Sequence, residues 1–199
     1  MIIFERIRWK NFLSTGNQFI EVNFQTDGES RFAKNSTTLV VGTNGAGKST
    51  ILDALTFSLF NKPFRKISKG QLVNTVNEKD CRVEVEFSIG STSWKVARSI
   101  KPNTFEIWRD DNLLDQSASA NDQQKWLEQN VLKMNYKSFT QIVILGSSSF
   151  VPFMQLPTNS RWEVVEDLLD IKIFSSMNEI VKSRTRIVKD EIKTLELKK

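Results

Sequence analysis

The chain has 199 residues, 39% of them hydrophobic, with 28 Lys and Arg against 23 Asp and Glu and a formal net charge of +5. A single cysteine, Cys81, and no histidine exclude a disulfide framework, a Cys/His zinc site and Ser-His-Asp or Cys-His catalysis within this chain. No apolar run approaches the roughly 20 residues of a membrane span, MIIFERIRWK lacks a signal-peptide core, and the mild positive excess permits an acidic partner such as nucleic acid.

The length suits one sizeable domain, or one domain with an appendage. Residues 2–9 (IIFERIRW) and 18–24 (QFIEVNF) are rich in β-formers and read as strands. Residues 25–36 are polar, with Asp27 and Gly28 as turn signals. TTLVV at 37–41 reads as a short strand buried on both faces, as in a parallel or mixed sheet. A helix over 49–60 follows, with Ile51, Leu52, Leu55 and Leu59 at helical spacing and Pro63 closing it. Residues 82–89, 93–99 and 104–109 form a β-meander, with turns at Gly90–Ser91 and Asp110–Asn112. Trp94, Phe105 and Trp108 fall in this meander, as sheet packing or as base-stacking platforms.

Helices are expected over 121–133, 136–145 and 158–172, the last with Ser160 and Glu163 spaced as a capping box. From Ile173 the pattern changes. Ile173, Ile180 and Ile187 recur every seven residues, as do Phe174, Val181, Val188 and Leu195. Such ladders fit a coiled coil, or one amphipathic helix of a globular domain.

Gly42-x-x-x-x-Gly47-Lys48-Ser49 completes the phosphate-loop pattern between an expected strand and an expected helix. Glycines let the backbone curl so that its N–H groups, with the helix N-terminus, form a concave anion site. Asn44, Gly45, Ala46, Gly47, Lys48, Ser49 and Thr50 are therefore candidate ATP-binding residues. Lys48 supplies charge to the β- and γ-phosphates and to the transition state, and the Ser49 hydroxyl is the candidate Mg²⁺ ligand. NKPF and NEKD do not supply the guanine-reading motif of a GTPase, which favours ATP.

Five stretches carry a family resemblance: KNF near the start, TNGAGKSTILDAL, NKPFRKISKGQLVN (61–74), SFTQIVILG…PFM (138–154) and VVEDLLDI (164–171). Together they resemble the N-terminal half of SMC-like ABC ATPases. These are the large subunits of the SbcC-type double-strand-break repair nuclease complex, in bacterial and T-even-type phage forms. The resemblance implies an α/β, P-loop ABC-type ATPase half-head with a mixed sheet, an antiparallel meander and helices. Residues 1–172 would form that half-head and 173–199 the start of an ascending coiled coil. It also implies ATP hydrolysis between two heads of a homodimer, with Walker B, signature and switch-histidine residues outside these 199. Double-stranded DNA, a nuclease at the coil base and a bacterial or phage-infected host cytosol complete the expectation.

The family's glutamine that touches Mg²⁺ and the attacking water falls at Ser147 when FVPFM is aligned, with Gln141 six residues earlier as the other candidate. Leu13 stands where some relatives carry an arginine near the nucleotide. Asn74, within the shared 61–74 stretch, is a further candidate ATP contact. Lys62, Arg65, Lys66 and Lys69 lie in an acid-free stretch. They read as DNA phosphate contacts, or as a solvated loop or a cap over the nucleotide. VVEDLLD is spaced as a helix, so Glu166 and Asp167 do not read as a Walker B pair. A cohesin-like clamp without a nuclease and a P-loop phosphotransferase are the alternative functions.

Overall fold

The structure, a computed structural model, describes residues 2–24, 39–115, 119–144, 152–169 and 171–197. Two compact units divide the chain, residues 1–132 and 133–199.

The first unit is built on a six-stranded sheet: β1 (Ile2–Lys10), β2 (Ile20–Asn23), β3 (Cys81–Ile89), β4 (Thr92–Ile100), β5 (Thr104–Arg109) and β6 (Asn112–Leu113). Its order is β2-β1-β3-β4-β5-β6, and every neighbouring pair is antiparallel. Alternation along β3 decides the faces. Val83, Val85 and Phe87 are fully buried on one face, beside Trp94 and Val96 of β4 and Ile7 and Trp9 of β1. The intervening residues form charge pairs across the strands. Arg6 sits opposite Glu86, and Arg8 opposite Glu84. Arg8 Nε donates to Glu84 at 2.7 Å and Arg82 Nε at 2.6 Å. Burial would raise the pKa of Glu84, but the hydrogen bonds from Arg82 and Arg8 outweigh it and hold the carboxyl below its ordinary value. The β5–β6 turn contains only Asp110 and Asp111, both with positive φ, as a two-residue hairpin that follows the sheet twist requires.

Helix α1 (Thr50–Phe60) packs on β1, β3 and β4. Ala54, Phe57, Leu59 and Phe60 are buried, and so are Asp53, Thr56 and Ser58. The helix ends on Asn61, whose left-handed φ of 58° lets its N–H reach Phe57 O at 2.9 Å; Pro63 lies beyond that stop. Arg98 of β4, itself buried, donates to Ser58 O at 3.1 Å and to Gln124 Oε1 at 2.6 Å, while Gln124 Nε2 donates to Leu59 O at 2.9 Å. Burial pushes the Arg98 guanidinium down to about 9, opposed by nearby Glu128. Gln124 belongs to α2 (Ala120–Trp126), which the chain continues as a π-helical turn over Leu127–Leu132. The single helix expected over 121–133 is thus a short α-helix and a wider turn that seats Leu127, Val131 and Leu132 in the core.

The strand expected at 37–41 is not formed over its described part. Leu39 and Val41 are 83% and 81% exposed and lie in no strand, while 37 and 38 lie outside the described residues. A strand apolar on both faces needs neighbours on both sides, and the described sheet closes on β2 and β6. Among the described residues the sheet is antiparallel throughout rather than mixed. The turn expected at Asp27–Gly28 also lies outside the described residues.

The second unit comprises α3 (Tyr136–Ile142), α4 (Thr158–Leu168) and α5 (Lys172–Glu196). The helix expected from 158 starts there, as α4 with Pro157 at its N-cap, and the capping box at Ser160 and Glu163 does not form, because both residues lie inside the helix. Glu163 instead accepts from Asn135 Nδ2 at 3.1 Å and Lys137 Nζ at 2.7 Å. Asp167 accepts from the Ser138 hydroxyl and from Asn135 N. Glu166 accepts from Ser175 Oγ of α5 at 2.6 Å. The carboxylates of VVEDLLD therefore hold neighbouring helices, in keeping with their helical spacing.

Candidate nucleotide site

Two glycines shape the loop that leads into α1. Gly45 and Gly47 have φ of +86° and +89°, where side-chain-bearing residues are strained. Ala46 N donates to Thr43 O at 3.2 Å and Thr50 N to Gly47 O at 2.9 Å, winding the loop into the helix. A Cβ at Gly42 would meet the Ala46 Cβ at 3.3 Å, so the loop's two limbs pass closely there. Lys48 folds back inside this curl. Its Nζ donates to Gly42 O at 2.6 Å and to Thr43 O at 2.8 Å. Ser49 stands at the helix N-cap with no side-chain capping bond, so its hydroxyl is not committed to the helix.

The loop forms one wall of a cavity of about 560 Å³. Asn44, Gly45, Gly47, Lys48, Ser49 and Thr50 line that wall. Leu13 and Ser14 line another. Phe12, fully buried with its ring 5.8 Å from that of Phe57, anchors this second wall. Leu13 N then donates to Leu72 O at 2.6 Å. Val73, Thr75, Gln71 and Arg65 complete the lining.

Asn74 is not among the lining residues. Its amide is consumed by the scaffold: Nδ2 donates to Leu13 O at 3.0 Å, and Oδ1 accepts from Val76 N and Asn77 N. It holds the Leu13 wall in place while its neighbours Val73 and Thr75 face the cavity. The structure also separates the four cations of 62–69. Arg65 turns to the fully buried Asp53, with Nε at 2.6 Å and its backbone N at 2.9 Å, and lies in the cavity wall. Lys69 Nζ lies 6.0 Å from the centre of the Phe57 ring and 3.4 Å from Asn103 Oδ1. Burial, then the charge of Arg98, lowers its pKa. Lys62 and Lys66 are exposed.

Gln141 belongs to the second unit, where its Oε1 is buried without a hydrogen-bond partner among the described residues. Ser147 lies outside the described residues. Of the meander aromatics, Trp94 and Phe105 are largely buried, and Phe105 lies 3.7 Å beneath the Arg98 guanidinium. Sequence reasoning did not place Gln71, Val73 or Thr75 in the cavity, and offered Arg65 there only as one alternative, a cap over the nucleotide. The available signal was Asp53, a lone carboxylate among apolar helix residues that requires a cation nearby.

The donor set fits a polyphosphate: a backbone curl without side-chain obstruction, an inward ammonium and two hydroxyls at a helix start. An uncommitted Ser49 hydroxyl also fits a magnesium ion, which supplies Lewis-acid charge to phosphate oxygens when bound.

A model of the family described as AAA domain matches residues 6–199. The chain is similar to Exonuclease subunit 2 of Escherichia phage RB69, with 40% identity over 194 residues, 98% of this chain and 33% of that protein. It is also similar to the DNA double-strand break repair Rad50 ATPase of Thermoplasma volcanium, with 27% identity over 176 residues, 85% of this chain and 18% of that protein. Among solved structures it resembles the Smc head domain with an extended coiled coil, bound to the C-terminal domain of ScpA, from Pyrococcus furiosus. The TM-score is 0.56 at 17% identity, over 99% of this chain and 49% of that one, which shows the fold: half of an SMC-type ATPase head. The chain spans about a third of the length of the phage relative.

Proposed function

The chain belongs to the AAA domain family, and from that membership we propose that it is the N-terminal, ATP-binding half of a DNA-repair ATPase head that works with a nuclease. The observation that carries this reading is the Lys48 ammonium held inside a glycine curl at the start of α1. Asn44 to Thr50 hold the phosphates through backbone N–H groups and hydroxyls. Lys48 exchanges its loop carbonyls for phosphate oxygens and offsets the charge that develops on them. Ser49 is the magnesium ligand. Leu13, Ser14, Val73 and Thr75 bound the nucleoside side, with Asn74 positioning Leu13. Arg65 adds positive charge at the cavity edge.

Residues 1–172 act as the half-head and 173–199 as the start of the ascending coil, whose apolar ladder is exposed along α5. Gln141 or Ser147 serves as the water-orienting residue. Lys62 and Lys66 contact DNA phosphates. A second head, a nuclease at the coil base and double-stranded DNA are the partners, in the cytosol of a bacterial or phage-infected cell. The name of the phage relative supports the nuclease, and that of the Thermoplasma relative supports DNA repair.

Lys48→Ala tests the reading. The variant should fold as the parent does and lose most Mg-ATP affinity in calorimetry. Unchanged affinity in a folded Lys48→Ala protein would refute the assignment.

A further inference from the structure

A closed ring of three asparagines backs the wall formed by Leu13 and Ser14. Asn74 N donates to Asn11 O at 2.9 Å, Asn77 N to Asn74 Oδ1 at 3.0 Å, and Asn77 Nδ2 to Asn11 Oδ1 at 2.7 Å. Asn11 Nδ2 donates in turn to Asn17 Oδ1 at 3.0 Å and to Asp80 O at 3.3 Å. Asn11 and Asn74 are buried, and none of the three lines the cavity. Their sequence neighbours do: Leu13 and Ser14 follow Asn11, and Val73 and Thr75 flank Asn74.

Leu13 itself is held in a conformation that leucine avoids. Its φ of 55° lies in the left-handed region, which asparagine and glycine enter far more readily than a bulky side chain does. Such strain persists only where neighbours over-determine the backbone. Here they do so on both sides of the residue. Leu13 N donates to Leu72 O at 2.6 Å, and Leu13 O accepts from Asn74 Nδ2 at 3.0 Å. Asn11 and Asn77 hold Asn74, so the geometry of the ring passes to Leu13. Amide bonds are directional where apolar packing is not, and a satisfied buried amide network rigidifies what it joins. The ring therefore fixes the spacing between the Leu13 wall and the Val73–Thr75 wall without placing charge there. A slot of fixed width, with Leu13 and Val73 as its apolar sides, suits the flat, uncharged end of a nucleotide. The phosphates are met separately, by the loop at 44–50.

Resting on the nucleotide-binding reading above, we infer that Asn11 and Asn77 are positioning residues for the nucleoside. With Asn74 they lock Leu13 in its strained conformation, and so set how much the nucleoside adds to triphosphate binding. Neither touches the ligand. A wall fixed before the ligand arrives loses less freedom on binding, which is how preorganisation raises affinity.

The test uses the full-length protein in calorimetry with Mg-ATP and, separately, with magnesium tripolyphosphate, which keeps a phosphate chain and lacks the nucleoside. Asn77→Asp places an oxygen where Nδ2 donated, so two acceptors face each other at Asn11. Asn77→Ala removes the donor without adding charge, and carries the same readout if the aspartate variant does not fold by circular dichroism. Leu13→Gly fits the same backbone and removes only the wall side chain. Each should weaken Mg-ATP binding about tenfold, the equivalent of one lost hydrogen bond, and leave tripolyphosphate affinity as in the parent. Asn130→Asp, at an exposed amide outside the ring, should leave both affinities as in the parent. Equal loss of both ligands in the Asn77 variants overturns the proposal, since a merely structural role would loosen loop and slot alike. So does an unchanged ratio of ATP to tripolyphosphate affinity in a folded Asn77 variant or in Leu13→Gly. A parent that binds neither ligand refutes the nucleotide reading together with the ring. A parent that binds both without preferring ATP refutes the ring alone.

Discussion

The pair formed by Asp53 and Arg65 sets up an ordering of mutational costs that can be worked out before any measurement. Asp53 is fully buried, while the Arg65 side chain is 45% exposed. Replacing Asp53 by alanine frees an arginine that water can reach. Its main loss is the bond from Arg65 N to the buried carboxylate, about 1.5–3 kcal/mol for a charge-assisted hydrogen bond. The guanidinium arms add little, since exposed pairs are worth roughly 0–1 kcal/mol. Relief of carboxylate burial offsets part of this, leaving a net cost of about 2 kcal/mol. Replacing Arg65 by alanine does the opposite: it leaves a charge buried without its counterion, at a cost of about 3–5 kcal/mol. The double variant should recover at least about 1 kcal/mol relative to the sum of the singles, because the groups touch. Urea unfolding followed by circular dichroism, with a shared slope across the series, reads all three. Arg65→Ala milder than Asp53→Ala, or additivity within about 0.5 kcal/mol, would refute the reasoning from burial.

Two further outcomes follow from the sheet. Cys81 is buried, and desolvation, with a smaller contribution from Asp80, pushes its thiol up to about 12. The native protein should resist iodoacetamide at pH 8 and react fully in urea; rapid native alkylation counted by mass spectrometry would contradict this. Glu84 has its pKa held below the ordinary 4.5. Its contribution is present above that value and lost as pH falls below it. Glu84→Gln should lower the melting temperature at pH 7 and flatten its decline below pH 4.5, and a parallel decline in both proteins would argue against the Arg8–Glu84–Arg82 linkage.

How much was legible depended on whether the partners of a residue lie nearby in the chain. β3 to β5 and α1 were readable because alternation, turn residues and helical spacing are local. The phosphate loop was readable for the same reason, since its eight positions build the cradle by themselves. The strand at 37–41 was not, because an apolar run says that neighbours are needed without saying which. Asn74 was misjudged on similar grounds, and the buried partner of Arg65 was not foreseen. An amide near a site looks like a ligand contact, until Leu13 O, 61 residues away, is found to engage it; Arg65 keeps its place in the cavity wall while pairing with Asp53, 12 residues away. The α4 start at 158 was legible, but the capping box was not, because Pro157 opens the helix without a side-chain cap and leaves Ser160 and Glu163 inside it.

Helix α1 behaves mechanically as a stiff axle gripped at its far end. Arg98 and Gln124 grip its last carbonyls, Ser58 O and Leu59 O, from two different elements. Held there, the axle cannot slide lengthwise, and tilting would force the enclosed Ala54, Phe57 and Leu59 against the sheet. Any adjustment when phosphate arrives must therefore be taken up ahead of the helix, by rotation about Gly45 and Gly47. Stiffness behind and compliance in front place the hinge of this site in two residues that have no side chain to obstruct the turn.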